Sequence, residues 1–413
     1  MIRTLQFKYS LKLDGVTAIM LNLYEHMDPE EVSWDFLVGD AEVPEDIRRR
    51  IEERGGRIYS IAAACPEKNP LAYTFHKILF SMKLMKENQY DLVHVHTESA
   101  GRSLILVLAA LAGVKGRILH AHSSFIRSGK GVAKHKLCRR LLPLWANGFL
   151  TCSGEAAKWM FPSGLIRKKR VVTIPNGICL DRYRFSEEIR AEARKEFVAE
   201  GEKVFLLCTV GRLSPEKNYP FLLLVVKELK ERMKTAEGQG GLQFRLLFAG
   251  EGPEEERIRK WAKELQVEEL VSVLGNRQDV PGILQAADCF LLSSLFEGLP
   301  LVLVEAQAAG LPCVASDRIT REVELTGKIT YLPVETIENL QTAEKLAGRW
   351  ARQIQALSRD KESEIWRPED GILVKEAGFD IEDSAKKLER FYRALTGKGK
   401  KRKKNGGKRS GGL

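Results

Sequence analysis

Short apolar runs alternate with longer segments of helical periodicity along most of the 413 residues. This alternation is typical of parallel α/β sheets, in which each strand is followed by a helix that packs on the sheet. The pattern predicts two doubly wound α/β domains in tandem, with strands at 2–7, 34–38, 58–61, 91–95, 117–121, 149–152 and 171–174, and again at 204–210, 244–249, 271–274, 289–293, 313–316 and 328–332.

The chain length supports the same division, because a chain of this size is too long for one compact core. We predict an N-terminal domain at 1–185, a C-terminal domain at 186–380 with a linker near 181–201, and a closing helix at 381–396 that packs back on the first domain. A polar, weakly patterned stretch at 335–371 follows the last strand. Open parallel sheets bind ligands at the carboxyl ends of their strands, so we expect a cleft between the domains.

Charge is concentrated at the end of the chain. The formal net charge is +11, but 397–413 contains eight Lys or Arg and no acid, which leaves a body of 58 basic and 55 acidic residues. From its composition, we expect this polybasic tail to be disordered. The seven cysteines are scattered without a C-x-x-C pair, and no apolar run reaches the ~20 residues of a membrane span. We therefore expect a cytoplasmic protein.

The segment 294–312 combines a loop with an apolar helix. Pro300 suits the first turn of this helix, whose free N–H groups after Gly298 can hold a diphosphate. Glu297 precedes the helix and Glu305 lies in its second turn. A buried carboxylate requires partners, so Glu305 either caps a neighbouring backbone group or accepts hydrogen bonds from sugar hydroxyls, here those of a ribose.

The spacing of Glu297 and Glu305 resembles the E-x7-E motif of the retaining family 4 glycosyltransferases. The resemblance covers nearly the whole chain, because the segments 174–178, 211–218, 249–253 and 274–276 also match motifs of that family. It implies the GT-B fold, in which two Rossmann-like domains face each other. Within the family, the chain looks most similar to bacterial exopolysaccharide and capsule enzymes.

The resemblance also implies roles for individual residues. It places the acceptor on the N-terminal domain and the nucleotide-sugar donor on the C-terminal domain. Arg212 and Lys217 would bind the donor diphosphate, which suits a reaction without a metal, and no D-x-D follows a strand. The implied catalytic residues are His122, Glu297, Arg212 and Lys217. The implied donor-binding residues are Gly15, Arg212, Lys217, Asn276 and Arg277 (both near the base), Glu297 (on the sugar), Gly298, Leu299, Pro300, Leu301 and Glu305 (on the ribose).

Four of the seven histidines lie in two predicted strands of the first half: His94, His96, His120 and His122. Since side chains alternate with period two, both members of each pair should point the same way. A histidine in a strand is usually a satisfied core group, but His122 ends its strand and matches the family's active-site histidine. The family's glycine-rich first loop is reduced here to 13–17, with one glycine and no glutamate, and Gly15 remains its candidate for close approach to the donor.

We expect transfer of a hexose-type sugar from a nucleotide diphosphate. The resemblance favours UDP, because UDP is the usual donor nucleotide of this family. The acceptor would be a saccharide or a lipid-linked acceptor in bacterial cell-surface polysaccharide synthesis. No cofactor, metal or nucleic acid is expected. The basic tail and the segment 125–142 could contact an anionic membrane at the inner face of the plasma membrane. The alternatives are a GT-B epimerase or phosphorylase, and a nucleic-acid-binding protein that uses the tail.

Overall fold

The computed structural model describes residues 1–12, 14–67, 69–122, 129–235, 242–360, 367 and 370–398. Most of the polybasic tail and residues 125–128 of the basic segment lie outside this range. The chain forms two compact units, one from Met1 to Ile174 together with the segment that starts at Ala385, and one from Pro175 to Ser384. The division falls before the predicted boundary at residue 185.

The first unit is built on a seven-stranded sheet with the order β3-β2-β1-β4-β5-β6-β7, and all neighbouring strands are parallel. Strand β1 therefore lies at the point where the strand order reverses, which is where doubly wound sheets bind ligands. The strands are β1 (Ile2–Phe7), β2 (Val32–Val38), β3 (Ile58–Ser60), β4 (Leu92–Thr97), β5 (Gly116–Ala121), β6 (Gly148–Thr151) and β7 (Val171–Thr173).

The second unit repeats this plan with a six-stranded parallel sheet of order β10-β9-β8-β11-β12-β13. Here β8 and β11 flank the point of reversal, and their residues are almost completely buried because helices cover both faces. The strands are β8 (Val204–Val210), β9 (Gln243–Ala249), β10 (Val271–Val273), β11 (Cys289–Leu292), β12 (Cys313–Ser316) and β13 (Ile329–Leu332).

Sixteen α-helices connect these strands within the described residues. They begin and end as the sequence allows: Asn69 caps α4 by accepting the N–H groups of Leu71 and Ala72, with Pro70 in its first turn. The helices are α1 (Gly15–Glu25), α2 (Glu45–Glu52), α3 (Ile61–Ala64), α4 (Pro70–Glu87), α5 (Ile105–Leu111), α6 (Gly129–Trp145), α7 (Gly154–Met160), α8 (Ser163–Arg167), α9 (Glu187–Arg194), α10 (Tyr219–Thr235), α11 (Glu255–Glu264), α12 (Val280–Ala286), α13 (Leu301–Ala308), α14 (Leu340–Asp360), α15 (Gly371–Glu376) and α16 (Ile381–Thr396).

Two predicted irregular stretches are regular in the structure. The predicted linker at 181–201 contains α9, whose buried Arg190 donates to the carbonyls of α12 and forms an ion pair with the buried Asp288. This segment belongs to the second unit and is not a linker. The weakly patterned stretch contains α14, which buries Ala347, Trp350 and Ile354 at helical spacing.

The last helix, α16, begins in the second unit and continues in the first. At its start, Ile178 exchanges backbone hydrogen bonds with Phe379 and Ile381, at 2.8 and 3.0 Å. From Ala385 onward the helix belongs to the first unit, where the buried Tyr392 reaches strands β1 and β4. Among the described residues, no helix is both long and apolar enough to cross a bilayer.

Candidate functional site

Two loops of the second unit are fastened together at the carboxyl ends of β8 and β11. The buried Ser293 hydroxyl lies 2.9 Å from the Lys217 carbonyl oxygen and 3.1 Å from that of Asn218. The Leu295 N–H donates to the Glu216 carbonyl at 2.8 Å. Asn218 itself adopts the left-handed conformation, with φ at 54°, and this turns the chain from the loop into α10. These bonds fix the backbone on both sides of the Lys217 side chain.

An ion pair joins the two loops. Lys217 Nζ donates to Glu297 Oε1 at 2.5 Å, and the Ser294 hydroxyl donates to the same oxygen at 2.8 Å. Both charged side chains are mostly buried, with 16% and 17% of their surfaces exposed, so this pair is shielded from bulk water. Arg212 lies in the same loop as Lys217 and is exposed, and its guanidinium has no hydrogen-bond or ion-pair partner among the described residues.

Glycines allow the neighbouring loops to approach this site closely. Gly211 and Gly250 both have φ at 148°, and a side chain on Gly250 would place its Cβ 2.0 Å from the Gly211 carbonyl oxygen. A Cβ on Gly252 would lie 2.3 Å from the Leu213 carbonyl oxygen. Backbone therefore packs directly on backbone beneath the Lys217 loop, and no other residue type fits at these positions.

Helix α13 carries the second glutamate of the motif. Pro300 stands at its N-cap, just before the helix, and the segment 298–301 leads from Glu297 into the first turn, whose leading N–H groups have no partner within the helix. Burial raises the pKa of Glu305 to about 7. A hydrogen bond from the Tyr183 hydroxyl and the positive charge of Arg182 act in the opposite direction, because both favour the ionised carboxylate. A carboxylate with this pKa is sensitive to any group that donates hydrogen bonds to it.

The residues predicted to lie near the base are arranged differently. Asn276 is exposed and follows Gly275, whose carbonyl accepts the Gly250 N–H at 2.8 Å, so it stands beside the glycine-rich loops. Arg277 is held by two carboxylates, with Glu196 at 2.6 Å and Asp279 at 2.6 Å. Its guanidinium therefore already has partners on the protein.

In the first unit, the four predicted histidines form one cluster. The rings of His94 and His96 lie 4.1 Å apart between centroids, as do those of His120 and His122, which confirms that each pair shares a face of the sheet. His94, His96 and His120 are buried, and both ring nitrogens of His120 lack a partner within the described residues. Desolvation holds the pKa values of all three well below the usual range, so the cluster is neutral.

A chain of hydrogen bonds runs through this cluster to His122. Gln6 Nε2 donates to the Tyr392 hydroxyl at 3.2 Å, and Gln6 Oε1 lies 2.8 Å from His96 Nε2. His96 Nδ1 lies 2.8 Å from His122 Nε2. With the Gln6 amide oriented as in the structure, His96 carries its proton on Nε2 and accepts from His122 Nε2. The free nitrogen of His122 is then Nδ1, which has no partner within the described residues.

His122 borders a small pocket of about 170 Å³ together with Lys8, Asp14 and Thr97. Lys8 Nζ donates to Asp14 Oδ2 at 2.7 Å, and Asp14 caps α1 by accepting the Thr17 N–H. Burial and then the charge of Lys8 lower the pKa of His122 to about 3, while Asp14 opposes this. His122 is therefore neutral near pH 7, and with Nε2 donating to His96 its Nδ1 can accept a hydrogen bond.

Gly15 is the first residue of α1, and a Cβ there would meet nothing within 4 Å. The structure therefore leaves open space beside this position. The three residues His94, His96 and His120 are close enough to share a metal ion, with ligand atoms within 4.8 Å of one another. His94 Nδ1 and both nitrogens of His96 are already hydrogen-bonded, so an ion there would have to displace Tyr392, Gln6 or His122.

The chain matches two family models. Residues 13–182 match the model described as Glycosyltransferase Family 4, and residues 190–331 match that of Glycosyl transferases group 1. It is also 31% identical over 335 residues to the glycosyltransferase EpsF of Bacillus subtilis, in an alignment that covers 80% of this chain and 83% of that protein. The chain belongs to glycosyltransferase family 4. The predicted family is therefore confirmed.

One further relative and one solved structure extend this comparison. A UDP-Gal:α-D-GlcNAc-diphosphoundecaprenol α-1,3-galactosyltransferase of Escherichia coli is 28% identical over 58% of this chain, and the alignment spans 62% of that protein. The crystal structure of HepE from Anabaena in complex with UDP-glucose matches with a TM-score of 0.70, at 16% identity, covering 95% of this chain and all of the other. This structural match confirms the predicted GT-B fold class.

In this glycosyltransferase, the structure brings Lys217, Glu297 and the start of α13 together in one site of the second unit. Sequence reasoning missed Tyr183, which contacts Glu305, and the pair of Lys8 and Asp14 beside His122. A signal for Asp14 was present, since an aspartate directly before an apolar helical run is a typical N-cap. No local signal pointed to Tyr183, because its contact with Glu305 depends on tertiary packing.

Proposed function

We propose that this chain is a retaining glycosyltransferase that moves a sugar from a UDP-sugar to a saccharide or lipid-linked acceptor in bacterial cell-surface polysaccharide synthesis. The observation that supports it most is the shielded pair of Lys217 with Glu297, which lies just before α13, together with Glu305 in the second turn of that helix. Together these groups supply a cation, free backbone N–H groups and two hydroxyl acceptors, which are the features that a diphosphate linked to two sugars requires.

Donor binding would break the ion pair of Lys217 and Glu297 and give each side chain a new partner on the donor. A diphosphate at the start of α13 attracts Lys217 Nζ away from Glu297, because two phosphate charges outweigh one carboxylate. Glu297 is then free to accept hydrogen bonds from the donor sugar while Ser294 still holds it. Arg212 is exposed, and its guanidinium has no partner in the described part of the chain, so it adds a second cation to the diphosphate. The ligand-free ion pair thus keeps both side chains placed for the substrate.

The reaction would follow front-face attack. The acceptor hydroxyl oxygen bonds to the anomeric carbon while the bond from that carbon to the β-phosphate oxygen breaks. The acceptor proton passes to the departing phosphate, and the sugar keeps its configuration. Lys217, Arg212 and the α13 N–H groups stabilise the charge that develops on the diphosphate. By the family resemblance, neutral His122 contacts the transferred sugar through a hydrogen bond.

The same cations would make a metal unnecessary. In this proposal, Lys217 and Arg212 neutralise the leaving group, the task that a divalent ion performs in metal-dependent transferases. We expect turnover of a UDP-sugar to be unchanged after exhaustive dialysis against EDTA. Loss of activity that returns with Mg²⁺ or Mn²⁺ would contradict metal independence while leaving the donor site in place.

Donor affinity should depend on pH through Glu305. Its pKa is raised to about 7 in the free protein, so the carboxyl group is ionised above pH 7 and protonated below. Ribose hydroxyls donate to the ionised form, and we therefore expect the Kd for UDP-glucose to rise by up to about tenfold per pH unit below 7. Titration calorimetry from pH 5.5 to 8.5 measures this. Glu305→Gln should bind more weakly at pH 8 and with no such slope; an equal slope in that variant would rule out Glu305 as the origin.

The activity itself is tested by product analysis. The purified chain is incubated with UDP-glucose, UDP-galactose or UDP-N-acetylglucosamine, with and without a disaccharide or polyprenyl-diphosphate-sugar acceptor. We expect UDP release that requires acceptor, and an α-linked product from an α-linked donor by NMR. Conversion of the donor alone would indicate an epimerase, and a β-linked product would contradict retention.

A further inference from the structure

The first unit contains a second, larger cavity that the proposed chemistry does not use. It has a volume of about 560 Å³ and lies between α4, α5 and the beginning of the loop that follows β1. Its walls are mostly apolar, with Phe7, Ile105 and Leu108 among them. A cavity of this size with apolar walls and a few polar groups is typical of a site for a small molecule. We call it the α4–α5 groove.

Three cations surround the groove: Lys77 on α4, Arg102 before α5 and Lys134 on α6. None of their charged side-chain groups has an ion-pair or hydrogen-bond partner within the described residues. The Lys134 stem lies across Gly101, where even a Cβ would meet it at 3.1 Å, so a glycine makes room for this lysine. Arg102 lies over the Tyr9 ring, 4.8 Å from its centroid.

The neighbouring cations affect the ionisation of Lys77. Burial, and then the charges of Lys134 and Arg102, lower the pKa of Lys77. Like charges that are held close together raise the free energy of the empty site, and a bound anion would relieve this. The groove therefore offers an apolar chamber and an anion site side by side.

Helix α4 continues this apolar character to the surface. Leu71, Phe75 and Leu79 are exposed by 82%, 59% and 49%, and with Ile78, which lines the groove, they follow helical spacing on one face. Exposed apolar side chains at this spacing suit a helix that lies at a lipid interface. An amphiphile held in a bilayer could thus reach the groove without passing through water.

We propose that the α4–α5 groove binds the isoprenoid phosphate part of a lipid-linked acceptor, with the chain against the apolar walls and the phosphates on Lys77, Arg102 and Lys134. A free phosphate compound would leave the apolar walls exposed, and an uncharged lipid would leave the cations unpaired. Only a ligand that combines both parts satisfies the whole groove. The inference rests on the proposed function, because it gives the acceptor of that reaction a place. Arg102 and Tyr9 also border the pocket of His122, so the groove and that pocket are neighbours.

Farnesyl diphosphate, a short isoprenoid diphosphate, is the probe that tests this. We expect the full chain to bind it more tightly than either inorganic diphosphate or farnesol. The double variant Lys77→Met/Lys134→Met keeps the aliphatic stems and should weaken binding by at least about tenfold, since charge-assisted contacts to phosphate are lost. Thr74→Trp, which fills the groove from α4, should weaken it as well. The matched control is Lys83→Met, because Lys83 lies on the same helix outside the groove and is 72% exposed.

Three results would overturn the proposal. Unchanged affinity in the double variant would show that these lysines do not bind the ligand. Equal affinity for inorganic diphosphate would show a simple anion site. If the double variant bound phosphatidylglycerol vesicles more weakly but farnesyl diphosphate as tightly as the wild type, the lysines would form a membrane-binding patch instead. Binding of UDP-glucose is measured on the wild type and on every variant. If the wild type binds UDP-glucose but not farnesyl diphosphate, only the groove proposal is refuted. If the wild type binds no UDP-sugar, the proposed function is refuted.

Discussion

Lys217→Met should lower kcat by about 10²–10³-fold, the loss typical of removing one group that stabilises developing charge in a transition state. The substitution keeps the aliphatic stem and removes the ammonium group that donates to Glu297 at 2.5 Å. The loop should keep its shape, because Ser293 and Leu295 hold its backbone independently of the side chain. Initial rates with saturating donor, together with a thermal unfolding curve, measure both effects.

The control for this variant is Lys227→Met. Lys227 lies on α10 of the same unit and pairs with Glu344 at 3.3 Å, with 42% of its side chain exposed. Removing such an exposed pair changes stability by at most about 1 kcal/mol and should leave kcat unchanged. If Lys217→Met retained wild-type kinetics, or lost activity only because it unfolded at the assay temperature, the assignment of Lys217 to the diphosphate would be wrong.

His122→Gln should lower kcat/KM by about 10²-fold or more if the ring contacts the transferred sugar. The two ring nitrogens have different surroundings, since Nε2 contacts His96 and Nδ1 has no partner among the described residues. An asparagine places its amide near the position of Nδ1, and a glutamine places it near that of Nε2. We therefore expect His122→Asn to retain more activity than His122→Gln.

The comparison of these two variants is informative because both remove the imidazole. A greater activity of His122→Gln would show that the nitrogen facing His96 is the functional one. Equal activity of both variants to the wild type would remove His122 from the site. His76→Gln serves as the control, because His76 is half exposed on α4 and pairs with Glu67 at 2.5 Å, away from the histidine cluster.

The activity of the wild type should show no step from histidine ionisation near neutrality. The pKa of His122 is lowered to about 3, chiefly by burial, so the ring stays neutral from pH 5 upward. The pH profile of kcat/KM should therefore change only where Glu305 titrates, near 7. Glu305→Gln should flatten the profile, whereas a step that persists in Glu305→Gln and disappears in His122→Asn would contradict the neutral ring.

The strands were predictable because fully buried parallel strands are continuous apolar runs. The runs at 2–7, 204–210 and 313–316 match β1, β8 and β12 residue for residue, and the other strands differ only at their ends. Helix α14 was harder to recognise, since its buried face consists of small residues such as Ala343 and Ala347 around one tryptophan. Small apolar residues weaken the hydrophobic pattern even where the packing is close.

The segment that was mistaken for a linker shows a second limit. Helix α9 is highly charged, and its inward-facing residue is Arg190. This arginine is buried because Asp288 and three carbonyls of the α12 end receive its hydrogen bonds. From the sequence alone, such a charged residue is predicted to lie at the surface. The partners that make its burial favourable lie about a hundred positions away.

The site itself was predictable to the extent that its residues are linked by short motifs. Glu297, Glu305 and the start of α13 lie within one segment, and Lys217 follows the end of a strand that neighbours β11. The pairing of Arg277 with Glu196 and Asp279 could not be read from the chain, because Glu196 belongs to a different element. The tautomers in the histidine cluster likewise depend on Gln6 and Tyr392, which lie 386 positions apart.

A crystal structure of the chain with UDP tests the donor site directly. We expect a β-phosphate oxygen within hydrogen-bond distance of Lys217 Nζ and of the first N–H groups of α13, the ribose hydroxyls on Glu305, and the contact between Lys217 and Glu297, 2.5 Å in the free protein, lengthened or broken. UDP bound elsewhere, or bound while Lys217 stays on Glu297 and Glu305 contacts only Tyr183, would contradict the site.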